Sequence, residues 1–229
     1  MKGGGAQDFV VEPQEYHLRL AGHAWKIRHS GAILSFLDEQ RLLGMETGRP
    51  PYGVTLWPSA IALAHDLAAR GKSLRGKRVL ELGAGTGLPG IVAATFGARV
   101  VQTDYNEQAL ELCRQNGAAN GCADIEYRRA DWTAWTDTAQ YDLLIGADVL
   151  YAERQHAGLR RIFQSNVAPA GSIILADPFR SASLRMLEAL ESEGWSVALS
   201  KWSVGEDVAP RPIGVFELDA AARTARVGE

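Results

Sequence analysis

The run Arg78-Val79-Leu80-Glu81-Leu82 leads into Gly83-Ala84-Gly85-Thr86-Gly87-Leu88-Pro89-Gly90, which places four glycines in eight positions. The first five residues read as a buried strand, and Leu88 onward reads as a helix with proline in its first turn. Glycines at the joint let the backbone take positive φ and approach a ligand closely. The helix start aims free N–H groups and its positive dipole end at the same point. A bare strand-to-helix turn explains one such glycine, not four. The stretch therefore reads as a nucleotide cradle.

Around this joint the chain alternates. A helix is expected over 58–70, with Ile61, Ala64, Leu67 and Ala68 as its buried stripe, and Gly71 stops it. Strands follow near 77–82, 98–103, 125–129, 141–147 and 171–176, with helices over 88–96, 106–119, 153–167 and 181–193. Leu143-Leu144-Ile145 and Ile173-Ile174-Leu175 lack polar alternation, as a parallel sheet covered on both faces requires. Strands near 195–202 and 212–218 have no helix between them and must pair antiparallel. The expected fold is α/β: a Rossmann-like seven-stranded sheet, mostly parallel with an antiparallel C-terminal hairpin, and helices on both faces. Upstream, Tyr16 to Arg28 alternate about Ala21-Gly22-His23 and read as a β-hairpin outside the main fold. Residues 31–47 are weakly helical until Arg49-Pro50-Pro51-Tyr52-Gly53 breaks them, and the glycine-rich first residues are expected to be disordered. This divides the chain into an extension, 1–50, and a main domain, 51–229.

Bulk properties exclude several classes. A chain of 229 residues with 46% hydrophobic content suits one domain with an accessory segment. The net charge of -3, from 24 basic and 27 acidic residues, disfavours nucleic acid as a partner. Cys113 and Cys122 are too few for a disulfide framework, and the five histidines have no ligand spacing, so no metal is expected. Of those histidines His156 alone falls near the expected site. No signal-type core or membrane-length apolar run occurs, which points to a soluble, cytoplasmic protein without membrane contact.

Two cofactors fit the cradle. Gly85-x-Gly87-x-x-Gly90 satisfies the dinucleotide pattern, yet Gly83-Ala84 intervene between strand and triplet and an acid, Glu81, lies in the strand end. Asp104 ends the second strand, where a carboxylate can accept both ribose hydroxyls of either cofactor. It could instead cap the next helix, although Asn106 is already placed for that. Glu81-x-Gly83-x-Gly85-x-Gly87 resembles the first motif of class I S-adenosylmethionine (SAM)-dependent methyltransferases. The resemblance implies SAM as cofactor, with Gly83, Gly85 and Gly87 against its methionine part and Glu81 helping to hold its amino group. It also implies that Asp131 and Trp132, after the third strand, clamp adenine by hydrogen bonding and stacking. The plainer alternative is a surface turn with Trp132 filling the core.

The fourth strand ends in Gly146-Ala147-Asp148-Val149-Leu150-Tyr151, and strand C-termini of an open parallel sheet face the ligand crevice. Asp148-x-x-Tyr151, together with Leu56-Trp57-Pro58-Ser59, resembles methyltransferase family 16, whose well-known members methylate protein lysines. That likeness implies Trp57 and Ala147 beside the cofactor, with Asp148 and Tyr151 as the catalytic pair bordering the target side chain. Asp148 could instead brace its loop, and Tyr151 could be packing. Asp177-Pro178-Phe179 would form the opposite lip or a plain turn. The amino-methylating loop of nucleic-acid enzymes is missing, because Val149-Leu150 stand where its prolines would be. The expected partner is a protein lysine, with a small-molecule amine as the alternative. A SAM-binding module without turnover stands behind both, and a nicotinamide dehydrogenase further back.

Overall fold

The computed structural model describes residues 14–32, 52–205 and 211–220. The expected short helix over 31–47 and the glycine-rich start fall almost wholly outside these residues. An N-terminal hairpin, β1 (Gln14–Leu20) and β2 (His23–His29), comes first. Helix α1 (Pro58–Arg70) precedes β3 (Arg78–Leu82), α2 (Leu88–Thr95), β4 (Arg99–Asp104), α3 (Glu107–Ala119) and β5 (Glu126–Arg129). Then come β6 (Tyr141–Ala147), α4 (Glu153–Asn166), β7 (Val167–Asp177), α5 (Ser181–Ser192), β8 (Trp195–Val204) and β9 (Arg211–Ala220).

The seven main strands lie in the order β5-β4-β3-β6-β7-β9-β8. Pairings within β5 to β7 are parallel, while β9 runs antiparallel to both β7 and β8. Strand β3 pairs with β4 on one side and β6 on the other, so the chain reverses its direction of winding there. A ligand crevice opens at such a switch point, beyond the strand C-termini. Two apolar layers cover the sheet. One packs Ile61, Leu63 and Leu67 of α1 and Ile91 of α2 on Val79, Leu143 and Ile174; the other packs Leu159, Ile162 and Phe163 of α4 and Leu190 of α5 on Leu80, Leu144 and Ile173.

Strand β7 begins earlier than the expected 171, at Val167, the last residue of the helix expected over 153–167, and Val167 pairs with Tyr141 ahead of a register shift. Gly171 permits the irregularity, because a Cβ there would stand 2.9 Å from the Tyr141 carbonyl oxygen.

The hairpin is a sheet of its own, yet its apolar face joins the main core. Leu18, Trp25 and Ile27 are buried with α1 and α2, and Trp25 Nε1 donates to Thr95 Oγ1 at 2.9 Å. Along its outer edge β2 meets α3. Lys26 N donates to Asn120 Oδ1 at 2.9 Å and Arg28 N to Asn116 Oδ1 at 2.8 Å. Each asparagine returns an Nδ2 bond to the carbonyl of the same residue. Ser30 N then donates to Val54 O at 2.9 Å, and Leu56 N to Gly31 O at 2.8 Å, which ties this edge to the loop before α1.

Candidate active site

Gly83, Gly85 and Gly87 all hold left-handed φ, at 64°, 56° and 81°, so the turn after β3 folds back on itself before α2 starts. Three side chains pin its carbonyls from beneath. Cys113 Sγ donates to Gly85 O at 3.2 Å, Asn116 Nδ2 to Thr86 O at 2.8 Å and Gln102 Nε2 to Gly87 O at 2.9 Å. Gly90 closes the turn against Glu81: its N–H donates to Glu81 Oε2 at 3.1 Å, and Gln102 Nε2 donates to the same oxygen at 2.6 Å. Glu81 is 2% exposed, and desolvation pushes its carboxyl up to about 8 despite these two donors. Its observed contacts brace the turn.

Asp104 ends β4 where the sequence places it. Oδ2 accepts from Gly85 N at 3.0 Å and Oδ1 from Asn106 N at 2.8 Å, leaving lone pairs on both oxygens. Burial raises its pKa, and these backbone N–H groups offset part of the rise. Asn106 is the cap of α3, accepting from Gln108 N. Asp131 is exposed and accepts from Thr133 N and Oγ1, so it caps a short 3-10 turn, and those donors lower its pKa. The half-buried indole of Trp132 reaches across to the cradle: a Cβ on Gly83 would lie 3.3 Å from its Cζ2. Gly158 of α4 lets the backbone of Trp132 approach, since a Cβ there would overlap its carbonyl.

Trp57 immediately precedes α1, its Nε1 donating to Tyr52 O at 3.1 Å and its ring stacked on Tyr52. The Tyr52–Trp57 loop crosses the cradle at Gly53, whose carbonyl is 3.6 Å from where a Gly85 Cβ would be. On the far side Ala147 ends β6, paired with Ala176. Asp148 follows with a left-handed φ of 55° and a side chain 8% exposed. Its Oδ1 pairs with Arg180, which also reaches Asp177 Oδ2 at 3.3 Å. Desolvation raises the pKa of Asp148, and Arg180 opposes the rise. Tyr151, three residues beyond Asp148, is 55% exposed; Tyr52, stacked on Trp57, is 45% exposed, and Tyr105, which follows β4, is 64% exposed. His156 Nε2 is bonded to Leu150 O at 2.8 Å.

The structure thus gathers Trp57, Glu81, the three glycines, Asp104 and Trp132 about one turn and sets Asp148 and Tyr151 on the next strand end. Gln102, Cys113, Asn116 and Arg180 also belong to the site, and of these the sequence marks Gln102 alone, a polar residue after Val100-Val101 in a buried strand.

A seven-stranded sheet with reversed β9, a glycine turn at its switch point and an acid at the end of β4 define a class I SAM-dependent methyltransferase. Comparison with known proteins narrows this. A family model described as lysine methyltransferase matches residues 37–193. The chain is 40% identical over 176 residues to the histone-arginine methyltransferase METTL23 of Xenopus laevis, covering 73% of this chain and 70% of that one. It is 30% identical over 160 residues to the protein N-lysine methyltransferase METTL21A of Xenopus tropicalis, covering 68% and 74%. Among solved structures, a glycopeptide N-methyltransferase MtfA complexed with sinefungin superposes with a TM-score of 0.59 at 14% identity over 71% of this chain and 94% of that one, a likeness of fold. The chain belongs to the lysine methyltransferase family, and SAM is its cofactor.

Proposed function

We propose that this enzyme methylates the side-chain amine of a lysine in a protein substrate, and that it does so in the cytoplasm. The observation that carries this is the exposure of aromatic side chains in the loops at this end of the sheet: Tyr105 follows β4, Tyr151 lies beyond β6 and Tyr52 stacks on Trp57 ahead of α1, and all three are exposed, so a protein side chain can approach from outside. SAM supplies an electrophilic methyl group, so no protein nucleophile is needed. The residues of the chain bind, orient and exclude water. Asp104 offers its free lone pairs to the ribose hydroxyls, the glycine turn receives the methionine end with Glu81 behind it, and Trp132 with Asp131 and Ala147 borders the adenine. Trp57 and Tyr52 cover the cradle from the side of α1. A lysine amine, with a reference pKa near about 10.4, must lose its proton before attack, and a desolvating aromatic rim favours the neutral form. Tyr151 shapes that rim and Asp148 holds the loop beneath it.

The test is incubation with methyl-labelled SAM and a whole-cell lysate, followed by fractionation and hydrolysis of the labelled protein. Methyl-lysine in a discrete protein, lost with Tyr151→Ala, is expected. Methyl-arginine would move the acceptor to that of the METTL23 relative, and label confined to small molecules would refute the protein reading.

A further inference from the structure

Three non-glycine residues hold left-handed φ among the described residues, and two of them, Asp148 at 55° and Phe179 at 62°, lie on the adjoining lips after β6 and β7. Such a backbone persists only where its surroundings over-determine it. Arg180 supplies the link. Its guanidinium pairs with Asp148 on one lip and with Asp177 Oδ2 on its own lip, while its backbone N–H donates to Asp177 Oδ1 at 2.8 Å. Ser183 Oγ completes the cluster, donating to Asp177 Oδ2 at 2.6 Å. Phe179 is anchored edge-on to Phe216, 5.8 Å between centroids, beside Gly214. On the other lip, the buried Ser59 of α1 turns its hydroxyl towards the Asp148 carboxylate and, like Arg180, favours its charged form. Thus three segments converge on one carboxylate, and three residues later the chain reaches Tyr151.

We infer that Arg180 is a positioning residue for methyl acceptance. By meeting the charge of Asp148 from within the chain, it locks the left-handed start of the 148–151 loop and fixes Tyr151 at the rim where the acceptor enters. Asp148 is then a strut rather than an open anionic site, and the acceptor is received as a neutral amine. The inference rests on the reading of the crevice as an amine-methylating site, but not on whether the amine belongs to a protein.

Three variants test it: Arg180→Met, Arg180→Lys, and the double variant Asp148→Asn with Arg180→Met. KM and kcat are measured on whichever acceptor the parent labels, SAM affinity by calorimetry, and backbone exchange by mass spectrometry. Arg180→Met should raise the acceptor KM at least tenfold with SAM affinity within twofold, and should speed exchange over 148–151 and 179–183. Arg180→Lys, which keeps the charge without the fork, should recover part of the KM. The double variant removes the unpaired buried carboxylate, so it should regain thermal stability while its KM stays high. An unchanged KM in Arg180→Met would overturn the inference, as would a double variant that regains both stability and KM. Should the parent label no acceptor at all, the functional reading falls, and unchanged exchange over 148–151 would then overturn this inference separately.

Discussion

Replacing Gly90 by alanine sets two effects against each other. Gly90 lies in α2 with an ordinary helical φ, so alanine should gain about 1 kcal/mol from helix propensity. Against this, the new Cβ would overlap Glu81 Oε2 and stand 2.6 Å from Gln102 Nε2. Neither side chain has room to withdraw, because both are buried on the facing strands β3 and β4 and each is held by hydrogen bonds to the turn. Overpacking of this kind costs about 1–3 kcal/mol, and moving Glu81 off two donors costs about 1–1.5 kcal/mol for each bond. The clash and the lost bonds overlap, so a net destabilisation of about 2–3 kcal/mol is expected. For a domain of this size that lowers Tm by about 4–12 °C. Urea unfolding followed by fluorescence and circular dichroism would measure it. The same substitution in a Glu81→Ala background should cost distinctly less. A Gly90→Ala protein as stable as the parent would refute the close packing of the turn, and an equal cost in both backgrounds would move the clash from Glu81 to Gln102.

Three further outcomes follow from the same geometry. Asn116→Ala removes the partner of Arg28 N, Arg28 O and Thr86 O together, and a loss of about 2–4 kcal/mol with faster amide exchange at Arg28 than at Lys26, which stays bonded to Asn120, is expected. Burial holds Glu81 near 8, above the ordinary carboxylate value of 4.5, so the folded state binds the extra proton between these limits. Stability should therefore fall as pH rises from about 4.5 to about 8. Thermal melts across that range should show a shallower slope for Glu81→Gln, and an identical slope would place the titration elsewhere. Asp104→Ala should weaken SAM binding at least tenfold by calorimetry, through the ribose and through the released Gly85 and Asn106 N–H groups.

What could be read from the chain alone was whatever depends on neighbours in sequence. Apolar runs such as Leu143-Leu144-Ile145 gave buried strands, Pro58 and Gly71 bracketed α1, and Asn106 capped α3 as its position implied. The cradle was visible because its glycines are contiguous. The polar network beneath it was not. Gln102 meets Glu81 because the two are register partners across β3 and β4, and Arg180 meets Asp148 because β6 and β7 are adjacent. Such meetings are set by pairing, which no local pattern records. The docking of the hairpin was hidden for a similar reason: Asn116 and Asn120 look like ordinary helix-surface amides until β2 is laid beside them.

That contact also covers a strand edge. A two-stranded ribbon exposes two rows of unpaired backbone groups, each a template for another chain. Residues four apart on a helix rise about 6.0 Å, close to the roughly 6.6 Å between alternate residues of a strand. Asn116 and Asn120 therefore present amides in step with Lys26 and Arg28, and the helix serves as a counterfeit third strand. It satisfies the edge without extending it. A chain carrying leucine at both positions would keep the helix and offer β2 to its neighbours, and aggregation through that edge is the fault such a change would expose.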